Sequence, residues 1–143
     1  MKIIWTNGCF DVLHRGHIEL FKFARSQGDF LIVGIDTDER ISRAKGTSRP
    51  FNRLDDRMAM LESIKYIDKV VYFDSTSELE EQVKLSNAEA IVVGREYENK
   101  RVVGSELVNE VVFFDRIEEY STTKILEGKW HMFLTLMAQF ARK

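Results

Sequence analysis

Residues 2–35 read "KIIWTNGCFDVLHRGHIELFKFARSQGDFLIVGI", from Lys2 to Ile35. The stretch opens on a short apolar run, Lys2 to Trp5, that predicts a strand. From Gly16 the pattern turns helical. Ile18, Leu20, Phe21, Phe23 and Ala24 make an apolar face, and Gly28 is a natural stop. Phe30 to Ile35 is a continuous apolar run, as expected of a strand covered on both faces. Strand, helix and buried strand in that order form a βαβ unit, which requires a parallel sheet.

The rest of the chain repeats the alternation. Leu54 to Ile64 predicts a helix, with Met58, Leu61 and Ile64 on one face. "KVVYF" (Lys69 to Phe73) predicts a third strand and Glu78 to Leu85 another helix. "AIVVG" (Ala90 to Gly94) and "EVVFF" (Glu110 to Phe114) predict strands four and five. The segment "DTDERISRAKGTSRPFN", with the sole proline, Pro50, reads mostly as loop, as does Arg95 to Ser105. "STTKILEG" opens a last helix. The expected fold is an α/β, Rossmann-like three-layer sandwich around a five-stranded, mostly parallel sheet. Residues 1–127 would form this domain. Residues 128–143 would add a helix, with Trp130, Phe133, Leu134, Met137 and Phe140 on one side. That helix packs on its own domain or makes a dimer contact.

Bulk properties bound the function. The 143 residues suit one domain, able to bury roughly two-thirds of its unfolded surface. A net charge of -2 gives no basic excess for general nucleic-acid binding. One cysteine forms no internal disulfide. Only three apolar residues separate Met1-Lys2 from Thr6-Asn7-Gly8, unlike a signal peptide, and no run nears the roughly 18 residues of a membrane span. The expectation is a cytoplasmic protein with no nucleic-acid or membrane partner.

The polar stretches that follow strands carry the chemistry, because ligands of such sheets sit at the strands' carboxyl ends. In "HRGH", His14 would just precede the helix and His17 lie in its first turn. Both imidazoles and the free N–H groups then face one point, a setting that favours phosphate. Gly16 lets a ligand approach the backbone. Competing readings are a zinc site, a structural histidine pair, and a nucleophilic Cys9 with a histidine base. Zinc would need soft ligands beyond Cys9 and His131. Ser121 to Lys124, "STTK", is a second anion candidate or a plain helix cap. "KGTSRP" supplies Lys45 and Arg49, and Arg57 opens a helix.

Together, three motifs resemble the HxGH-type, cytidylyltransferase-like nucleotidyltransferase family. "TNGCFDVLHRGH" resembles its opening G-x-F-D-x-x-H-x-G-H in Gly8, Phe10, Asp11, His14, Gly16 and His17. "KGTSRPFNRLDDR" resembles its middle segment, and "YSTTKI" its closing S-T-T. The resemblance spans about Lys2 to Glu127. It comes nearest the heptose-1-phosphate adenylyltransferase domain, sharing "TNGCFD", the KG-x-SRP-x-N segment, and Gly94, Tyr97, Gly104 and Ser105. Where that group usually carries Gly-Asp, this chain has Arg95-Glu96. Next comes glycerol-3-phosphate cytidylyltransferase, which shares an arginine five positions before the serine, here Arg116, but has a shorter middle loop.

The resemblance implies transfer of a nucleoside monophosphate from a triphosphate to a sugar or polyol phosphate, with release of pyrophosphate. ATP and a heptose-1-phosphate-like acceptor are the leading pair, CTP and glycerol 3-phosphate the alternative. By resemblance His14 and His17 support the pentacoordinate transition state. Lys45 holds the α-phosphate and the acceptor phosphate. Asn7, Gly8, Cys9, Phe10, Asp11, Gly16, Gly94, Arg95, Ser121, Thr122 and Thr123 bind nucleotide, with the last helix taking the β- and γ-phosphates. Arg49, Arg57 and Arg116 serve the acceptor or other phosphates. Arg57 alternatively structures its loop, and Asp11 orients the first loop or joins a magnesium site. Mg²⁺ comes mainly with the triphosphate. A non-catalytic nucleotide-binding module is the rival class. Hydride transfer on a dinucleotide would need a Gly-x-Gly-x-x-Gly turn that Gly8 and Gly16 do not make.

Overall fold

The computed structural model describes residues 1–116 and 134–140. Five parallel strands form one sheet in the order β3-β2-β1-β4-β5. They are β1 (Ile3–Gly8), β2 (Phe30–Asp36), β3 (Lys69–Phe73), β4 (Ala90–Gly94) and β5 (Glu110–Phe114). Between residues 1 and 116 the α-helices are α1 (Arg15–Ser26), α2 (Asp38–Lys45), α3 (Leu54–Glu62) and α4 (Thr76–Ser86).

Neighbouring residues of the central strands go to opposite faces, which explains their unbroken apolar runs. Ile4, Leu31, Val33 and Val92 join Phe21 and Ala24 of α1 and Leu61 of α3 in one core. Trp5, Ile32, Phe73 and Ile91 join Leu79 and Val83 of α4 in the other. Gly34 is required where it stands: a Cβ there would lie 2.5 Å from the Trp5 ring.

The expectation of a loop over most of residues 36–52 is corrected by α2. That helix buries only Ile41, so its apolar periodicity is too thin to read. Its signal lies at its ends. Thr37 caps it, its hydroxyl accepting from the Arg40 amide. Asp38 and Glu39 occupy the first turn, and Arg43 and Lys45 the last. The Arg95–Ser105 loop also contains a 3-10 turn at Arg95–Tyr97, with a second at Ser105–Leu107.

The sheet opens where the strand order reverses. β1 pairs with β2 through Gly8, but with β4 only at Ile4 and Trp5. Beyond Trp5 the Thr6 hydroxyl donates to the Val92 carbonyl oxygen at 2.8 Å. The result is a crevice at the carboxyl ends of β1 and β4, the place this topology reserves for ligands.

Ser121, Thr122, Thr123 and Lys124 lie outside the described residues, as do Trp130, His131 and Phe133. Residues 134–140 are helical, and Leu134, Met137 and Phe140 are exposed. Among the described residues, no helix is long and apolar enough to cross a membrane.

Candidate functional site

The crevice is a cleft of about 530 Å³, and the last residues of four strands line it: Gly8, Asp36, Gly94 and Phe114. Asn7, Cys9, Phe10, Asp11, His14, Gly16, His17, Lys45, Arg49 and Arg116 line it too. Residues expected at the site from three separate segments therefore meet in one place. Arg40, Arg101, Val102 and Val103 join them, although no motif marked them.

The turn from β1 to α1 explains its own sequence. Phe10 adopts a left-handed backbone, φ 46°, which costs a non-glycine residue on the order of 1 kcal/mol. Its ring folds back over Gly8, where a Cβ would stand 3.1 Å from it. The same ring meets His17 edge-on at 5.4 Å and Phe21 at 5.0 Å. The glycine thus makes room for a phenylalanine that props the second histidine.

His14 is the N-cap of α1 and His17 stands in its first turn. The Gly16 amide donates to His14 Nδ1 at 3.1 Å, and the His14 amide donates to His17 Nδ1 at 3.2 Å. Each ring therefore carries its proton on Nε2 when neutral. The rings stack at 3.8 Å between centroids with 27° between planes. Burial pushes the His17 pKa down to about 3, helped by His14 and Arg116. Burial, then Arg116, lowers that of His14. At neutral pH the pair is uncharged, and it is anchored by helix-mouth amides.

Asp11 is buried and ties the β1–α1 turn to the segment after Lys45. Its Oδ2 accepts from Arg49 Nε at 3.0 Å and the Phe51 amide at 2.8 Å. Its Oδ1 accepts from the Asn52 amide at 2.8 Å. Burial alone would raise its pKa; the two amides and Arg49 outweigh it and hold the carboxyl below the usual range. Both oxygens take part in ordering the 49–52 loop. Among the described residues, no group of three acidic, histidine or cysteine side chains is placed to hold a metal ion.

Two expected site residues sit elsewhere. Arg57 is 1% exposed and lies beneath the cleft. Its Nη1 donates to the carbonyls of Cys9 and Asp36, its Nε to that of Asn52, and its Nη2 to Asp38 Oδ1. It structures the loop and does not face a phosphate, because those acceptors hold it in the core. Arg95 is outside the cleft wall, paired with Asp115 and with Glu98. Glu96 and Tyr97 do line the cleft, and Glu96 Oε1 lies 3.6 Å from Arg116 Nη1.

Burial, then the Asp36 carboxylate, raises the Cys9 thiol pKa; Lys45 only partly opposes them. A thiol kept protonated is a poor nucleophile, which argues against covalent catalysis at Cys9.

A family model described as Cytidylyltransferase-like matches residues 5–128. The bifunctional protein HldE of Helicobacter hepaticus is 46% identical over 127 residues, covering 89% of this chain and 26% of its own length. HldE of Campylobacter concisus is 42% identical over 126 residues, covering 88% of this chain and 26% of its own. The chain spans about a quarter of the length of the curated relatives it matches. Among solved structures, a lipopolysaccharide core biosynthesis protein from Thermoplasma volcanium superposes with a TM-score of 0.67 at 24% identity, over 80% of this chain and 98% of that one. Pantothenate synthetase from Thermus thermophilus gives 0.56 at 13%, over 80% and 56%. These two likenesses establish the fold.

Proposed function

This chain belongs to the cytidylyltransferase-like family, a nucleotidyltransferase, and from that premise we propose that it transfers a nucleoside monophosphate from a triphosphate to a sugar or polyol phosphate. ATP and a heptose-1-phosphate-like acceptor are the favoured pair, giving an ADP-sugar. The observation that carries this reading is the stacked His14–His17 pair at the mouth of α1, in one cleft with Lys45 and Arg116. The motif resemblance to heptose-1-phosphate adenylyltransferase domains supports the choice of acceptor.

A phosphate oxygen of the acceptor attacks the α-phosphorus. The bond to the β-phosphate bridging oxygen breaks, and pyrophosphate leaves with the electron pair. The protein supplies position and charge stabilisation, with no covalent intermediate. The Nε2–H groups of His14 and His17 donate to the oxygens on which charge grows, and their Nδ1 anchors keep the rings from reorienting. Lys45 at the end of α2 draws the acceptor phosphate toward the α-phosphate. Arg116, and Ser121 and Thr122 of the closing motif, take the remaining phosphates. Mg²⁺ arrives bound to the triphosphate as part of the substrate and offsets its charge. Asp11, with both oxygens engaged, keeps to the loop.

Arg116, which lines the cleft, is the residue shared with glycerol-3-phosphate cytidylyltransferases, so CTP with glycerol 3-phosphate is the alternative. The experiment is pyrophosphate release from ATP, CTP, GTP and UTP, each with heptose 1-phosphate, glycerol 3-phosphate and other sugar phosphates. Release with ATP and a sugar 1-phosphate alone is the expected result. Release with CTP and glycerol 3-phosphate moves the assignment to the alternative. Nucleotide binding without release in any pairing leaves a non-catalytic nucleotide-binding module.

A further inference from the structure

A carboxylate faces the cleft at the end of β2. In a site built for phosphates, an acidic side chain repels the ligand unless it meets something other than phosphate. Asp36 is that side chain, and its setting says what it meets. Oδ1 accepts from Arg40 Nε at 2.7 Å. Among the described residues Oδ2 has only the Cys9 thiol, at 3.6 Å, and a thiol is a weak donor. Arg40 offsets the charge of Asp36 and is itself steadied over the Phe73 ring at 5.4 Å. Its Nη groups have no hydrogen bond among the described residues, and it too lines the cleft. Lys45 acts on the same Cys9 thiol, so the cation assigned to the acceptor phosphate is next door.

We propose that Asp36 and Arg40 form the acceptor's hydroxyl-reading site and select a polyhydroxylated phosphate. One hydroxyl donates to Asp36 Oδ2 in place of the thiol. An adjacent hydroxyl oxygen accepts from an Arg40 Nη–H. An acceptor and a donor held side by side match a vicinal diol and do not match a bare phosphate. The selection is strong because an analogue lacking the hydroxyls leaves these polar groups without ligand partners. The inference rests on the transfer reading for the placing of the acceptor phosphate at Lys45.

Cys9 is the sole cysteine of the chain, and it touches Asp36, so its slow alkylation, followed at about pH 9 where more thiolate forms, reports on this site without any turnover. The full chain is treated with iodoacetamide and followed by mass spectrometry. Ligands are methyl phosphate, glycerol 3-phosphate and mannose 1-phosphate, and each variant is compared with its own unliganded rate. The two hydroxylated phosphates are expected to protect the wild-type thiol at concentrations at least tenfold below methyl phosphate. Asp36→Asn keeps an acceptor for Arg40 and should abolish that tenfold advantage while methyl phosphate still protects. Arg40→Gln should do the same. Equal protection by all three ligands in the wild type, protection by none, or an advantage that survives in both variants would overturn the proposal. The two readings fail separately. A chain that discriminates yet releases no pyrophosphate refutes transfer alone; one that releases it yet does not discriminate refutes the diol site alone.

Discussion

Asp11 and Arg49, 38 positions apart in the chain, form an ion pair at 3.0 Å in which the carboxylate side chain is fully buried. The pair joins the β1–α1 turn to the segment after Lys45, so two separate cleft walls share one hinge point. Removing the carboxylate leaves Arg49 and the Phe51 and Asn52 amides without their acceptor. Breaking a buried pair costs about 3–5 kcal/mol, and Asp11→Ala should lose most of that in urea unfolding. The pH dependence has a definite sign. A carboxyl held below its usual value in the fold binds its proton more readily when unfolded. Its stabilisation is present above about pH 4 and is lost as pH falls through the lowered folded value. Asp11→Asn should therefore flatten the acid limb of the stability curve; a limb unchanged by the substitution would count against the assignment.

His17→Ala should lower turnover at least about 100-fold, the scale of a lost transition-state donor. Loss of the acceptor for the His14 amide weakens the start of α1 by only about 1 kcal/mol, so circular dichroism should show an intact fold. Pyrophosphate release within a fewfold of wild type would refute the role given to this ring.

The His17 pKa of about 3 predicts a neutral imidazole at pH 5. Nitrogen-15 shifts should show one protonated ring nitrogen there, on Nε2. Because the unfolded ring titrates near 6.5, the unfolded chain binds the extra proton first. Stability is full above about pH 6.5 and falls as pH drops toward 3, by at most about 2 kcal/mol between pH 7 and 5 from this group. A fully protonated His17 at pH 5 would contradict the burial that sets its value. A bound triphosphate favours the charged ring, so nucleotide binding at pH 5 should take up protons, measurable by calorimetry in buffers of different ionisation enthalpy.

Arg57→Met should destabilise the fold. Three carbonyls and the Asp38 carboxylate lose a buried donor, a loss of about 3–5 kcal/mol in unfolding free energy. Arg57→Lys should rescue little, because an ammonium cannot span the acceptors of a planar fork. A stable Arg57→Met chain with a raised acceptor KM would return this residue to the phosphate site.

The sequence by itself determined the parallel α/β fold and pointed to residues of separate segments that line one cleft. The apolar runs of the central strands are written by burial on both faces, and the glycine-spaced histidines by the local geometry of a helix start. Both are short-range facts, visible within a few residues. Tertiary structure decided which polar residues share the cleft. Arg49 in its loop and Arg57 at its helix start read alike as phosphate ligands, yet Arg57 is held in the core by backbone carbonyls and Arg49 lines the cleft. Asp36 and Arg40 carried no motif, and α2 hid because it buries a single residue. Their roles depend on partners far away in the chain, on the splitting of β1 from β4 after Trp5, and on the side chains the resulting crevice brings together. Composition and periodicity cannot encode that, because it is a property of where strands end in space.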